Sequence, residues 1–194
     1  MVTLAFLPEL RLALADSLYG VWESQTRAGE APPPPPYWSF PWVGGQALAR
    51  YLLDHRDQVA GLRVLDVGTG SGMVAIAAAL AGARSVTAID IDPRALEATR
   101  ANAEANGVSL VLQRGDVLDE TLDTDVVLAG DLFYERPLAE RVLPFLRRHR
   151  VALAGDAGRN YFPRDAFVEL ARYDVPTSLE VEGSPVRTGV VYRL

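Results

Sequence analysis

The chain has 194 residues, 49% apolar and 23% charged, enough for one globular domain with a sizeable core. It has no cysteine, which excludes disulfides, thiolate nucleophiles and cysteine-based zinc or iron–sulfur sites, and its two histidines are too few for most metal centres. The formal charge of −6 would repel a phosphate backbone, so nucleic acid is a disfavoured partner.

The first residues, MVTLAFLPELRLALADSLYG, have no basic leader and carry Glu9 and Asp16, unlike a signal peptide. Leu7, Leu10, Leu14 and Leu18 fall at helical spacing and predict an amphipathic helix. The run APPPPP at 31–36 reads as a stiff, extended connector rather than as a ligand for another domain. The expected division is therefore an N-terminal helix and connector over 1–36 and a main domain over 37–194. The longest uncharged apolar stretch, Met73 to Ala83, is too short to cross a bilayer, so a soluble, cytoplasmic protein with no membrane partner is expected.

Beyond residue 60, short β-branched runs alternate with longer alanine- and leucine-rich ones, the pattern of a parallel sheet covered by helices. Strands are expected at about 62–67, 85–90, 109–116, 125–131 and 150–156. Helices are expected at about 72–81, at 94–107 after Asp92 and Pro93 as N-cap and first residue, and at 135–149, which ends in a basic cluster suited to the helix dipole. The tail reads as a helix near 163–172 followed by strands near 175–183 and 188–194, a terminal antiparallel pair. His55 and His149 each lie among arginines and read as surface residues.

Residues 66–72, DVGTGSG, place Gly68, Gly70 and Gly72 directly after the first of these strands. They match only the first two glycines of a dinucleotide fingerprint, and no lysine follows to hold a triphosphate. The loop gains meaning from Asp66, Asp90, Asp116 and Asp131, which close successive strands and would border the crevice of an open parallel sheet. Any one of them alone is ordinary as a solvated turn or helix cap. Together they suit a ligand that carries an adenosine, an amino acid and a positive charge. Asp90 would accept the ribose hydroxyls, Asp116 the adenine amino group and Asp66 an ammonium, while the glycines let the backbone approach. S-adenosylmethionine fits this description.

VLDVGTGSG, AIDID and GDLFY resemble motifs of the class I S-adenosylmethionine-dependent methyltransferases, in their order, from about residue 37 to the end. More narrowly, PYWSFPWVGGQALARYLL, GDLFY and LAGDAGR are similar to segments of the seven-strand protein-lysine methyltransferases, and among these of the enzymes that methylate the electron transfer flavoprotein β subunit. LPELRLALAD also resembles their N-terminal segment. The resemblance implies an α/β fold, with a Rossmann-like, seven-stranded, mostly parallel sheet, helices on both faces, an antiparallel C-terminal strand and a short N-terminal helical addition. It implies S-adenosylmethionine as cofactor, no metal, a protein substrate and a monomer.

Carried onto this chain, the resemblance puts Trp42, Gly44 and Gly45 beside the cofactor. They join Asp66, Gly68, Thr69, Gly70, Ser71, Gly72, Asp90, Ile91, Asp116, Val117 and Asp131 there. Asp131 and Tyr134 would border the acceptor as the catalytic pair. Asp131 would orient an incoming amine, and Tyr134 would position it by hydroxyl or ring. Phe133 and Trp38 would wall the acceptor channel or pack in the core. Leu132 and Phe133 stand where methylases of planar amino groups carry two prolines, which disfavours adenine and glutamine as acceptors. A ribosomal protein, a small amine or cofactor binding without transfer are the other readings, the last opposed by Asp131 and Tyr134.

Overall fold

The computed structural model describes residues 1–26 and 31–194. The chain opens with a hairpin, β1 (Val2–Leu4) and β2 (Leu7–Leu12), followed by α1 (Leu18–Gln25) and α2 (Val43–Asp54). Strands and helices then alternate through β3 (Arg63–Val67), α3 (Met73–Leu80), β4 (Ser85–Asp90), α4 (Pro93–Ala105), β5 (Val111–Arg114), β6 (Val126–Gly130), α5 (Arg136–Arg147) and β7 (Ala152–Asp156). The tail is β8 (Val168–Pro176), the short α6 (Leu179–Glu182) and β9 (Val186–Arg193).

Seven strands make one sheet in the order β5-β4-β3-β6-β7-β9-β8. The first five run parallel, β9 runs antiparallel to β7, and β8 runs antiparallel to β9. Both faces are covered, so the central strands are apolar on both sides. Val64 and Leu128 pack under α2 and α3, whereas their neighbours Leu65 and Val127 pack against Val142, Phe145 and Leu146 of α5. The start of α4 follows its sequence signature, with Asp92 accepting the Arg94 N–H at 2.9 Å and Pro93 as first residue. Among the described residues no helix is long and apolar enough to cross a membrane, and no cluster of three or more histidines or carboxylates could hold a metal.

Two expectations are overturned. Leu7, Leu10 and Leu12 lie on a strand, fully buried against Ala49, Met73, Ile76 and Ala103, and no helix begins before Leu18. The cause is tertiary. Two amides, Asn102 on α4 and Asn106 at its C-cap, satisfy the segment's main chain: Ala13 N–H donates to Asn102 Oδ1 at 2.6 Å, and Asn106 exchanges bonds with Arg11 N–H and carbonyl at 2.9 and 2.7 Å. The N-terminal addition is therefore a hairpin plus α1, capped by Ser17, which accepts the Gly20 N–H at 3.0 Å. Residues 27–30 of the expected N-terminal segment lie outside the described residues.

In the tail, residues 168–172 form strand rather than helix, preceded only by a 3-10 turn at Arg164–Ala166. Residues 179–182, expected as strand, form α6. Pairing along β8 and β9, from Val168 opposite Arg193 to Pro176 opposite Val186, outweighs the helical spacing of FVELAR.

Candidate active site

A cavity of about 730 Å³ opens at the C-terminal ends of β3, β4 and β6 and is also lined by Pro34, Pro35, Tyr37 and Trp38, from the segment before α2. Of the residues singled out in the sequence, Trp42, Gly68, Gly70, Asp90, Ile91, Asp116, Val117, Asp131 and Tyr134 line it. Gly44, Gly45, Asp66, Thr69, Ser71 and Gly72 stand behind the wall and shape it.

The glycine loop is braced from beneath. Asp66 is 2% exposed, and its Oδ2 accepts the Thr69 hydroxyl at 2.6 Å. Burial pushes its pKa up to about 7, opposed by the bonds from Thr69 and the Ala75 N–H. Thr99 Oγ1 and Asn102 Nδ2 of α4 donate to the carbonyls of Gly70 and Ser71 at 3.1 and 2.8 Å. A Cβ on Gly72 would lie 2.7 Å from Thr99, so that glycine serves close packing of loop on helix. Gly70 differs: its φ is +56°, and a Cβ there would meet no protein atom nearer than Trp38 Cα at 3.7 Å. Its bare backbone faces the cavity.

Asp90 closes β4 with Oδ2 accepting the Gly70 N–H at 3.0 Å and Oδ1 accepting the Asp92 N–H at 2.9 Å. Burial raises its pKa, which these backbone bonds oppose. Each carboxylate oxygen keeps a lone pair for a further donor. Asp116 is engaged by a partner the sequence did not suggest: Arg141 on α5 grips its two oxygens at 2.7 and 3.1 Å and holds its pKa below the ordinary value.

At the other end of the cavity, Asp131 adopts φ +54°, the one non-glycine residue with positive φ among the described residues. Its N–H donates to the Gly155 carbonyl at 2.9 Å. Oδ2 accepts the Gly45 N–H at 2.6 Å, whereas Oδ1 is buried without a hydrogen-bond partner, 3.6 Å from Nη2 of Arg159. Burial pushes the Asp131 pKa up to about 7; the Arg159 charge opposes this and Asp156 adds to it. Tyr134 is 42% exposed, and its ring lies 5.4 Å from that of Tyr37. Desolvation, then the negative charge of Glu135, pushes its pKa up to about 12, so the phenol stays protonated.

Gly44 and Gly45 both sit where α2 packs closely, and a Cβ on Gly45 would lie 3.2 Å from Met73 Cε. A Cβ on Gly44 would fall 2.5 Å from the Gly155 carbonyl oxygen of β7, and Gly45 supplies the N–H that holds Asp131. Phe133 is 1% exposed and packs edge-on to Phe162 and Phe167, so it belongs to the core, whereas Trp38 lines the cavity. His55 stacks on Tyr51 and His149 lies against Phe145, and neither lines the cavity. Sequence reasoning missed Arg159, whose guanidinium lines the cavity and lies over the Trp42 ring at 5.4 Å. Its signal was the AGDAGR stretch that closes β7 and runs past it, one strand beyond the four read for acidic ends.

The family model for ribosomal protein L11 methyltransferase (PrmA) matches residues 46–135. The electron transfer flavoprotein beta subunit lysine methyltransferase of Danio rerio is 38% identical over 197 residues, spanning 96% of this chain and 76% of the relative. That of Homo sapiens is 37% identical over 199 residues, spanning 95% and 74%. Among solved structures, the ribosomal protein L11 methylase of Lactobacillus delbrueckii subsp. bulgaricus superposes with a TM-score of 0.55 at 27% identity, over 77% of each chain. The identity, sustained over nearly the whole chain, agrees with the motif resemblance and with the seven-stranded sheet: the chain belongs to the electron transfer flavoprotein β subunit lysine methyltransferase family.

Proposed function

We propose that the protein transfers a methyl group from S-adenosylmethionine to lysine of the electron transfer flavoprotein β subunit. The observation that carries this reading is Asp131 Oδ1, a buried carboxylate oxygen at the cavity with no hydrogen-bond donor among the described residues. Leaving such an acceptor unpaired is costly, and an amine entering from the cavity would supply the donor.

The lining fits the cofactor. Gly70 offers backbone with no side chain in the way, Asp90 keeps a lone pair on each oxygen for the ribose hydroxyls, and Ile91, Val117 and Leu138 give a base apolar walls. Bound there, the cofactor would supply an electrophilic methyl carbon on a positively charged sulfur, a leaving group that would keep the C–S electron pair as the N–C bond formed.

The protein's own task is to deliver a neutral amine in line. Neutralising a lysine at pH 7 costs about 4.6 kcal/mol from its reference pKa, and desolvation in the cavity lowers that cost. Asp131 Oδ1 accepts an N–H of the amine and fixes its direction, with Oδ2 anchored by Gly45. Tyr134, protonated at working pH, lines the cavity beside it and holds the nitrogen by hydroxyl or ring face. The proton shed by nitrogen passes to water or to Asp131, whose pKa of about 7 suits it to receive one.

A second reading, a ribosomal-protein acceptor, is favoured by the L11 methyltransferase match over 46–135. One experiment separates the two. The purified protein is incubated with labelled S-adenosylmethionine and either electron transfer flavoprotein or ribosomal protein L11, and the label is mapped by mass spectrometry. Methyl-lysine on the β subunit is the expected result; label on L11 alone would move the assignment to the second reading.

A further inference from the structure

We propose that Arg159 is a positioning residue that balances the charge of Asp131 so that the acceptor amine is held neutral, and that Glu182 fixes Arg159 at the distance this requires. The proposal deepens the lysine-methylation reading and rests on it.

Arg159 is built into place from several sides. Its N–H and that of Gly158 donate to Asp156 Oδ1 at 2.8 and 2.7 Å, which fixes the loop after β7. Its guanidinium reaches Glu182 with Nη2 at 2.7 Å and Nη1 at 3.3 Å, and it lies over the Trp42 ring. The Glu182 side chain is 1% exposed and lies 3.3 Å from Arg187 Nη1 as well, while Arg187 Nη2 donates to the Ala157 carbonyl at 2.9 Å. An alternating row, Arg187, Glu182, Arg159, Asp131, thus runs from the start of β9 through the end of α6 to the cavity. A structural ion pair would be expected to close its last contact. Here Nη2 stops 3.6 Å short of Oδ1, beyond hydrogen-bonding distance, and Oδ1 keeps its lone pairs.

That gap has a chemical use. A carboxylate alone beside an amine favours the ammonium form, which cannot attack. A cation within 4 Å of the same carboxylate offsets its field, favouring the neutral amine while keeping Asp131 ionised and able to accept. Closer approach would spend one of the two Oδ1 lone pairs on Arg159 and narrow the directions open to the amine, and retreat would leave the carboxylate field unopposed. The bidentate grip of Glu182 sets the spacing. The other charged groups facing Asp131 are Asp156 and Glu182, which oppose its ionisation; Arg164 acts on Asp156, and from the α2 side comes only the Gly45 N–H. Among the described residues Arg159 is the one cation paired with Asp131.

The test is the pH dependence of methyl transfer to the β subunit at saturating cofactor, for the wild type, Arg159→Gln, Arg159→Lys, Glu182→Gln and the Arg159→Gln/Glu182→Gln double variant, with cofactor affinity measured by calorimetry. In Arg159→Gln the rising limb should move about one pH unit to the alkaline side, with the rate recovering at high pH, because both the amine and Asp131 then hold their protons more tightly. Arg159→Lys keeps the charge and should return the limb most of the way. Without Arg159 to hold, Glu182 keeps only its direct field, which opposes ionisation of Asp131, so the double variant should be no slower than Arg159→Gln alone. A rate lowered equally at every pH, or a lysine variant no better than glutamine, would overturn the proposal while leaving lysine methylation standing. A wild type that methylates no amine would overturn both.

Discussion

Asp131 Oδ2 accepts the Gly45 N–H at 2.6 Å across 86 residues of sequence, so a side chain at the end of β6 caps the N-terminus of α2. The helix has no cap of its own, because Trp42 at its N-cap position offers no side-chain acceptor. The partial positive charge of a helix N-terminus favours a carboxylate there. One oxygen is thus spent on architecture, and the other is the one that the proposed reaction assigns to the acceptor.

Asp131→Asn separates these two duties. Asparagine tolerates the left-handed backbone and can still accept from Gly45, so the fold and cofactor affinity should hold. Turnover should fall about a hundredfold or more, since the site loses the preorganised charge that receives the amine. Calorimetry with the cofactor and initial rates check both halves. A variant that loses cofactor binding would move Asp131 to the cofactor side of the cavity.

Gly70 and Gly44 should fail in opposite ways. At Gly70 a methyl group meets open space, so Gly70→Ala costs chiefly the strain of φ +56°, roughly 1–2 kcal/mol, but it obstructs the cavity where backbone faces the ligand. At Gly44 the methyl group would lie 2.5 Å from the Gly155 carbonyl oxygen and 2.7 Å from Asp156 Cα, both main-chain atoms. Gly44→Ala should therefore lower stability by about 1–3 kcal/mol as α2 is pushed off the sheet. Thermal melts and cofactor titrations on both proteins should show affinity lost first in one and melting temperature in the other.

The N-terminal hairpin carries core. Leu10 is fully buried between α2, α3 and α4, so Leu10→Ala should cost roughly 2–5 kcal/mol in denaturant unfolding. A loss below about 0.5 kcal/mol, the range of a surface change, would mean that the hairpin is not docked as described.

What the sequence disclosed and what it hid follow one physical divide. Strands β6 and β7 were legible because burial on both faces makes them nearly continuous apolar runs, β3 and β4 because short apolar or β-branched runs end in aspartate, and α4 because Asp92 and Pro93 mark its start locally. The seven-stranded sheet followed from that order and from the motif resemblance. The hairpin was misread because its leucines pack on α2, α3 and α4 and the main chain of Arg11 and Ala13 bonds to Asn106 and Asn102, partners distant in sequence. The tail was misread because its strands are decided by pairing with each other along the edge of the sheet. At the candidate site, strand-end aspartates were visible as a pattern, but which of them face the cavity was not. Asp66 turns inward to Thr69, whereas Asp116 lines the cavity with both oxygens held by Arg141. Arg159 went unnoticed because its importance lies in Asp131 and Glu182, both distant in sequence.

Asp66 makes the pH dependence of stability testable. Its folded pKa, about 7, lies above its ordinary value of 3.8, because burial disfavours the charge more than Thr69 and Ala75 support it. Between those values the folded protein holds a proton that the unfolded chain has released, so stability from this group is fully present below about pH 4 and lost as pH rises through 7. Asp66→Asn keeps an acceptor for the Thr69 hydroxyl and removes the titration. Asp131 titrates in the same window but is common to both proteins, so it cancels in their difference. Wild type should therefore lose on the order of 2 kcal/mol relative to Asp66→Asn between pH 5 and pH 8. Urea unfolding of the pair across that range measures it, and a difference that stays flat with pH would mean that Asp66 is ionised throughout.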